Sequence, residues 1–201
     1  LYNGFVVDAK TRAVIAQKVE NVYFGKPCGL MDQMASSVGG MVTIDFKEKD
    51  AKVEAIACDF AAKGYALCVV NTGGDHGDLT DDYADITREM GAVAAHFNKR
   101  FLREVPEADF RAAIPSLRVR CGDRAVLRAI HYYEDDRRAV QEGEALERGD
   151  FARFLELVNA SGLSSAVHLQ NTWSISDPSQ QAIPLALAAG QELLEGTGAI
   201  R

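Results

Sequence analysis

Two carboxylates flank a predicted break between helices near the start of the sequence. Glu20 ends one stretch of helical periodicity, and Asp32 lies in the first turn of the next. A helix N-terminus favours a carboxylate, so Asp32 could cap the helix or accept a proton. If Glu20 faces the same space, the pair could also hold Mg²⁺; both acids could equally be solvated helix-end residues. Gly29, just before Asp32, would let a ligand approach the backbone.

A second polar cluster lies between a dense apolar run and an acidic helix start. It covers residues 71–83 and contains Asp75 and His76, which could be metal ligands but lack a third convincing one. Ligands often bind at the carboxyl ends of strands, which favours a site here. A turn followed by helix-capping residues explains the same pattern.

The elements that must position these residues follow from hydrophobic periodicity and from turn residues. Helices are predicted near residues 11–21, 29–38, 79–98, 108–114, 123–147, 150–160 and 178–194, and strands near 41–46, 53–58 and 65–71. This is the pattern of an α+β protein. A shift in composition near residues 61–64 predicts two domains, residues 1–62 and 63–201.

Composition narrows the possible functions. The net charge is −7 and no basic run is visible, which disfavours a nucleic-acid or anionic-membrane surface. No apolar stretch approaches the roughly 20 residues that a membrane span requires. The four cysteines show no metal-binding spacing, so we expect reduced thiols in a cytoplasmic protein.

The run Pro-Cys-Gly-Leu-Met-Asp-Gln at residues 27–33 resembles the signature of galactokinases, within the GHMP kinase superfamily. Residues 71–83, 128–137 and 149–165 are similar to later parts of the same family, so the resemblance covers most of the chain. It implies the two-domain GHMP kinase fold. That fold combines a part like domain 2 of ribosomal protein S5 with a ferredoxin-like C-terminal domain.

The resemblance implies transfer of the γ-phosphoryl group of ATP to the C1 hydroxyl of galactose, giving galactose 1-phosphate, with Mg²⁺ present. Asp32 would be the catalytic base against the anomeric hydroxyl, and Gly29 and Tyr83 would contact the sugar. Glu20 would help to hold Mg²⁺. Asp75 and His76 receive no role. Two alternatives stay open: a related sugar kinase, for example one acting on N-acetylgalactosamine, and a galactose-sensing regulator without catalysis.

Three motifs of the family have no counterpart here: the N-terminal sugar-binding motif, the phosphate loop and the last glycine-rich motif. The run at residues 162–165 looks like the phosphate loop but matches another family segment. We therefore expect a truncated, inactive piece whose residues for ATP are unknown. The parent is expected to be a monomer, and the piece to self-associate through exposed apolar surface. Residues 174–181 depart from the family pattern, which puts the sugar preference in doubt.

Overall fold

The computed structural model describes residues 4, 6–25, 28–48, 50–73 and 80–201. The predicted loop residues Asp75 and His76 lie outside the described residues. The chain divides into two units, Leu1–Cys58 and Asp59–Arg201, called unit 1 and unit 2 below.

Unit 1 contains two helices and a two-stranded sheet. Its elements are α1 (Ala9–Lys18), a π-helical turn (Val19–Tyr23), α2 (Met31–Val38), β1 (Met41–Asp45) and β2 (Lys52–Ile56). The strands pair antiparallel, with Met41 opposite Ile56. Both predicted helices and both predicted strands of this region are confirmed.

Local signals set the ends of the helices in unit 1. The Asp8 carboxylate caps α1 by accepting a hydrogen bond from the Thr11 backbone N–H at 3.0 Å. Gly39 ends α2 with a φ of 78°, which a residue with a side chain rarely adopts. Ala13 on α1 and Met34 on α2 are fully buried, so the two helices share a small apolar core.

Unit 2 is helical in all its regular elements that the structure describes. After a short 3₁₀ turn (Ala61–Lys63) come α3 (Thr80–His96), a second 3₁₀ turn (Leu102–Glu104), α4 (Glu107–Cys121), α5 (Asp123–Glu147), α6 (Phe151–Ser164), a π-helical turn (Ser165–Leu169) and α7 (Ala182–Leu194). Phe110 and Leu117 of α4 are buried in the core that α3 and α5 share. All five helices predicted for this region are found.

Two helix boundaries differ from the prediction. The prediction ended α4 at residue 114, but the helix continues through Pro115 to Cys121. Proline removes one backbone hydrogen bond, yet Phe110 and Leu117 on either side of it are fully buried. Their burial therefore outweighs the loss. The last helix begins at Ala182 rather than near Pro178, because residues 177–180 form a turn in which the Gln180 N–H donates to the Asp177 carbonyl.

The predicted buried strand over residues 65–71 is wrong. The segment has no regular secondary structure, and most of it is exposed; Leu67 and Val69 are 81% and 96% exposed. A strand needs a neighbour that takes up its backbone hydrogen bonds, and no described strand pairs with this segment. Both parts of the prediction, the strand and its burial, are therefore wrong for this segment.

The described elements are rich in helix and include one two-stranded sheet, which fits the predicted α+β class. None of the described helices is long and apolar enough to cross a membrane. The four cysteines are free thiols.

Candidate active site

A groove of about 400 Å³ runs along one side of unit 1, between α1, the π-helical turn and α2. It is lined by Arg12, Ala13, Ala16, Glu20, Asp32, Gln33, Ser36 and Ser37. The two carboxylates that the sequence singled out, Glu20 and Asp32, thus line the same groove. Polar groups converging in a groove are the usual setting of a binding site.

Gln33 fixes the orientation of the Glu20 carboxylate. Glu20 lies on the π-helical turn, and the Gln33 side-chain nitrogen donates to Glu20 Oε1 at 2.7 Å. The same nitrogen lies 3.4 Å from the Cys28 sulfur. The Gln33 side-chain oxygen is buried and accepts no hydrogen bond from the described residues. A buried oxygen of this kind needs a donor, such as a water or a ligand hydroxyl.

Hydrogen bonds to the backbone of Cys28 hold the chain that leads into α2. The Cys28 N–H donates to Asn21 Oδ1 at 2.8 Å, and its carbonyl accepts from Asn21 Nδ2 and Gln17 Nε2, each at 3.3 Å. Gly29 follows directly and is exposed, with no atom within 4 Å of the position that a Cβ would take. The backbone beside Gly29 is thus anchored and open to a ligand.

Asp32 is exposed in the first turn of α2, where the helix dipole is favourable for a negative charge. Arg12 provides the positive charge among the lining residues of the groove. Its Nε donates to Ser37 Oγ at 2.8 Å and its Nη2 to the Ser37 carbonyl at 2.9 Å. The groove therefore combines two carboxylates with one cation that is held in place.

Tyr83, the other predicted sugar contact, lies on α3 of unit 2 and is half exposed. It lines a different cavity, together with Asp82, Arg128 and Trp173. The structure thus brings Glu20 and Asp32 together in unit 1, with Gly29 two residues before α2, and places Tyr83 in unit 2.

Two residues of the groove, Arg12 and Gln33, were not predicted from the sequence as site residues. Arg12, Ala16 and Glu20 recur every four residues, a spacing that places them on one helix face and could have identified Arg12. Gln33 belongs to the recognised run, but nothing in the sequence indicates its hydrogen bond to Glu20. That bond depends on the path of the chain between α1 and α2.

Residues 162–165, which look like a phosphate loop, are helical. They lie at the end of α6 and at the start of the following π-helical turn. Gly162 packs against the last residues of the chain, because a Cβ there would lie 2.7 Å from the Ile200 carbonyl oxygen. Backbone N–H groups inside a helix are already bonded, so this run cannot cradle a phosphate.

The described residues contain no group of three or more His, Cys, Asp and Glu side chains placed to hold a metal ion. A site built from protein ligands alone is therefore not present among them. Mg²⁺ does not require one, since it commonly binds through one or two carboxylates together with waters and substrate phosphates.

No family model matches the chain. Curated relatives do: the galactokinase of Streptomyces coelicolor is 33% identical over 184 residues, which is 89% of this chain and 45% of the relative. The galactokinase of Mannheimia succiniciproducens is 30% identical over 74% of this chain and 38% of the relative. The galactokinase of Streptomyces lividans is 31% identical over 92% of this chain and 46% of the relative. These galactokinases are therefore homologues of this chain over most of its length, and the chain spans less than half the length of the curated relatives it matches.

Proposed function

We propose that this chain is part of a galactokinase, which transfers the γ-phosphoryl group of ATP to the C1 hydroxyl of galactose and gives galactose 1-phosphate. The observation that carries the proposal is that Glu20 and Asp32 line one groove of unit 1. The names of the relatives supply the reaction. The proposal includes the GHMP kinase fold, with an S5-like domain over residues 1–62 and a ferredoxin-like domain over residues 63–201.

Asp32 is the proposed catalytic base. Its carboxylate is exposed in the groove, so a hydroxyl could approach it, and an ionised carboxylate accepts the proton as the oxygen attacks phosphorus. The open backbone beside Gly29 is the proposed contact for the sugar ring. Tyr83 is the proposed sugar contact from unit 2.

Glu20 is the proposed residue for Mg²⁺. Carboxylate oxygens are the ligands that Mg²⁺ prefers, and both acids of the groove supply them. Gln33 binds Oε1 of Glu20, which leaves Oε2 for a cation. When bound, Mg²⁺ neutralises charge on the phosphates during transfer. No described residue is assigned to ATP itself.

The test is ADP release by the complete protein with galactose, N-acetylgalactosamine or glucose, for the wild type and Asp32→Asn. We expect galactose-dependent release that falls at least about 100-fold in Asp32→Asn, because general-base catalysis contributes 10²–10⁴-fold. Asp109→Asn is the matched control, since Asp109 is likewise exposed in the first turn of a helix.

Each other outcome has a distinct meaning. ADP release only with N-acetylgalactosamine would support the same mechanism but identify N-acetylgalactosamine as the substrate. A folded protein that binds galactose but releases no ADP would contradict the kinase activity and favour a galactose-sensing regulator. An Asp32→Asn variant as active as Asp109→Asn would remove Asp32 from the reaction.

A further inference from the structure

Unit 2 has a cavity of its own, with a volume of about 40 Å³. The start of α3, the first half of α5, residues 170–175 and the start of α7 form its walls. We call residues 170–175 the cavity loop. This volume has room for a few water-sized groups, which suits a substituent of a ligand rather than a whole ring.

The cavity loop is tied to α3 by a buried hydroxyl. Ser174 is 1% exposed, and its Oγ donates to Asp82 on α3. The same oxygen accepts from the backbone N–H groups of Ser176 at 3.1 Å and Asp177 at 3.3 Å. Gln170, at the start of the loop, has a φ of 57°, so the chain turns sharply out of the π-helical turn. The wall is therefore held before any ligand arrives.

The charges of the cavity are already compensated. Arg128 donates to Glu89 Oε2 at 2.9 Å and to the Leu169 carbonyl at 3.0 Å. Arg124 donates to Glu89 Oε1 at 2.8 Å and to Asp85 Oδ2 at 2.9 Å. Since both guanidinium groups are paired with carboxylates, the cavity offers no excess positive charge to an anion. An anionic ligand is therefore disfavoured.

The remaining lining groups suit a small substituent that carries a hydroxyl. Tyr83 and Trp173 are 50% and 38% exposed, so part of each aromatic side chain is available for packing. The side-chain amides of Gln170 and Asn171 provide both donors and acceptors beside them. Aromatic surface accompanied by a few polar groups is the composition that holds and orients a small polar ligand.

We propose that this cavity binds a substituent of a neutral monosaccharide, and that Trp173 and Asn171 of the cavity loop determine which sugar is accepted. The choice of a sugar as the ligand rests on the proposed function. The presence of the cavity does not depend on that function. Tyr83 is already an expected sugar contact, and the proposal adds the loop that faces the same space. The neighbouring residues 174–181 are the ones that depart from the family pattern.

Trp173 is the only tryptophan of the chain, so its fluorescence reports directly on the cavity. The experiment titrates the 201-residue chain with galactose, N-acetylgalactosamine and glucose, and with sodium acetate as the anion. We expect a saturable change in emission with at least one sugar and none with acetate. Asn171→Ala, at an exposed position, should change the ratio of the sugar affinities at least about threefold.

A variant that fills the cavity tests its location. Ile183 lines the cavity on α7, and Ile183→Phe should weaken sugar binding roughly tenfold, which corresponds to about 1.4 kcal/mol. Leu185→Phe is the control, because Leu185 is 70% exposed on the same helix and does not line the cavity. Circular dichroism checks that both variants are folded.

The proposal is overturned if no sugar changes the emission, if acetate gives the same change, or if both phenylalanine variants bind sugar like the wild type. Failure of the proposed function is seen separately, in the assay of ADP release. Saturable sugar binding at Trp173 without ADP release from the complete protein would support the sugar site in the cavity and contradict the proposed kinase activity. Galactose-dependent ADP release without any change in Trp173 emission would support the kinase activity and contradict the sugar site.

Discussion

Gln33 lines the groove of unit 1 together with the two acidic residues Glu20 and Asp32. It follows Asp32 in α2, and its side-chain nitrogen binds the Glu20 carboxylate on the π-helical turn. In the proposed reaction Gln33 is a positioning residue, since it acts through Glu20. Residues that orient a metal-binding carboxylate contribute strongly to metal affinity even though they do not touch the metal.

Replacement of Gln33 by alanine is expected to weaken the apparent Mg²⁺ affinity of the complete protein about 10- to 100-fold. The reason is that Glu20 loses the hydrogen bond that fixes its carboxylate. The measurement is ADP release as a function of Mg²⁺ concentration, with the galactose KM expected near its wild-type value. Gln141→Ala, at an exposed position of α5, is the control. An unchanged Mg²⁺ dependence in Gln33→Ala would show that Glu20 does not depend on the amide.

An ion-pair network joins α3 to α5 in unit 2. Arg128 on α5 is 3% exposed and donates to Glu89 on α3. Burial lowers the pKa of the Arg128 guanidinium below its usual value, and the Glu89 carboxylate partly offsets this effect. Arg124, one helical turn earlier, donates to the same carboxylate. Glu89 is thus the counter-charge of a buried cation.

Glu89→Gln is expected to lower the free energy of unfolding by about 3 kcal/mol, because it leaves the buried Arg128 without its counter-charge. Glu144→Gln removes an exposed ion pair with Arg148 and should cost less than about 1 kcal/mol. Urea unfolding of both variants measures the difference. Equal losses in the two variants would mean that the α3–α5 pairing contributes no more than a surface ion pair.

The sequence predicted the elements where local signals and packing agree. Both ends of α5 agree with the prediction. The first end is marked in the sequence, since Gly122 ends the preceding helix and Asp123 begins the next. The prediction and the structure differ at Pro115 and at residues 65–71. At these places burial and strand pairing determine the secondary structure, and the local sequence pattern does not. The joint position of Glu20 and Asp32 was predictable because both lie at helix ends. The cavity loop was not, because an irregular segment carries no periodicity.

Among the described residues, segment 65–71 exposes apolar side chains over a continuous stretch of chain. Leu67, Val69 and Val70 are exposed side by side on a segment without regular structure. The two-stranded sheet of unit 1 also has a free edge on each strand, since no other described strand pairs with it. Unpaired extended backbone next to apolar side chains is a template for pairing with a second chain.

The 201-residue chain is therefore expected to self-associate, with a light-scattering mass above that of a monomer and strong binding of a hydrophobic dye. The variant Leu67→Lys with Val69→Lys should reduce both signals, because charges on an extended segment oppose strand pairing. Val119→Lys with Val140→Lys is the control, since both valines are exposed on helices and their replacement should leave association unchanged. A wild-type chain that is monomeric and binds little dye would contradict the prediction. Equal association in the two double variants would show that the chains meet through another surface.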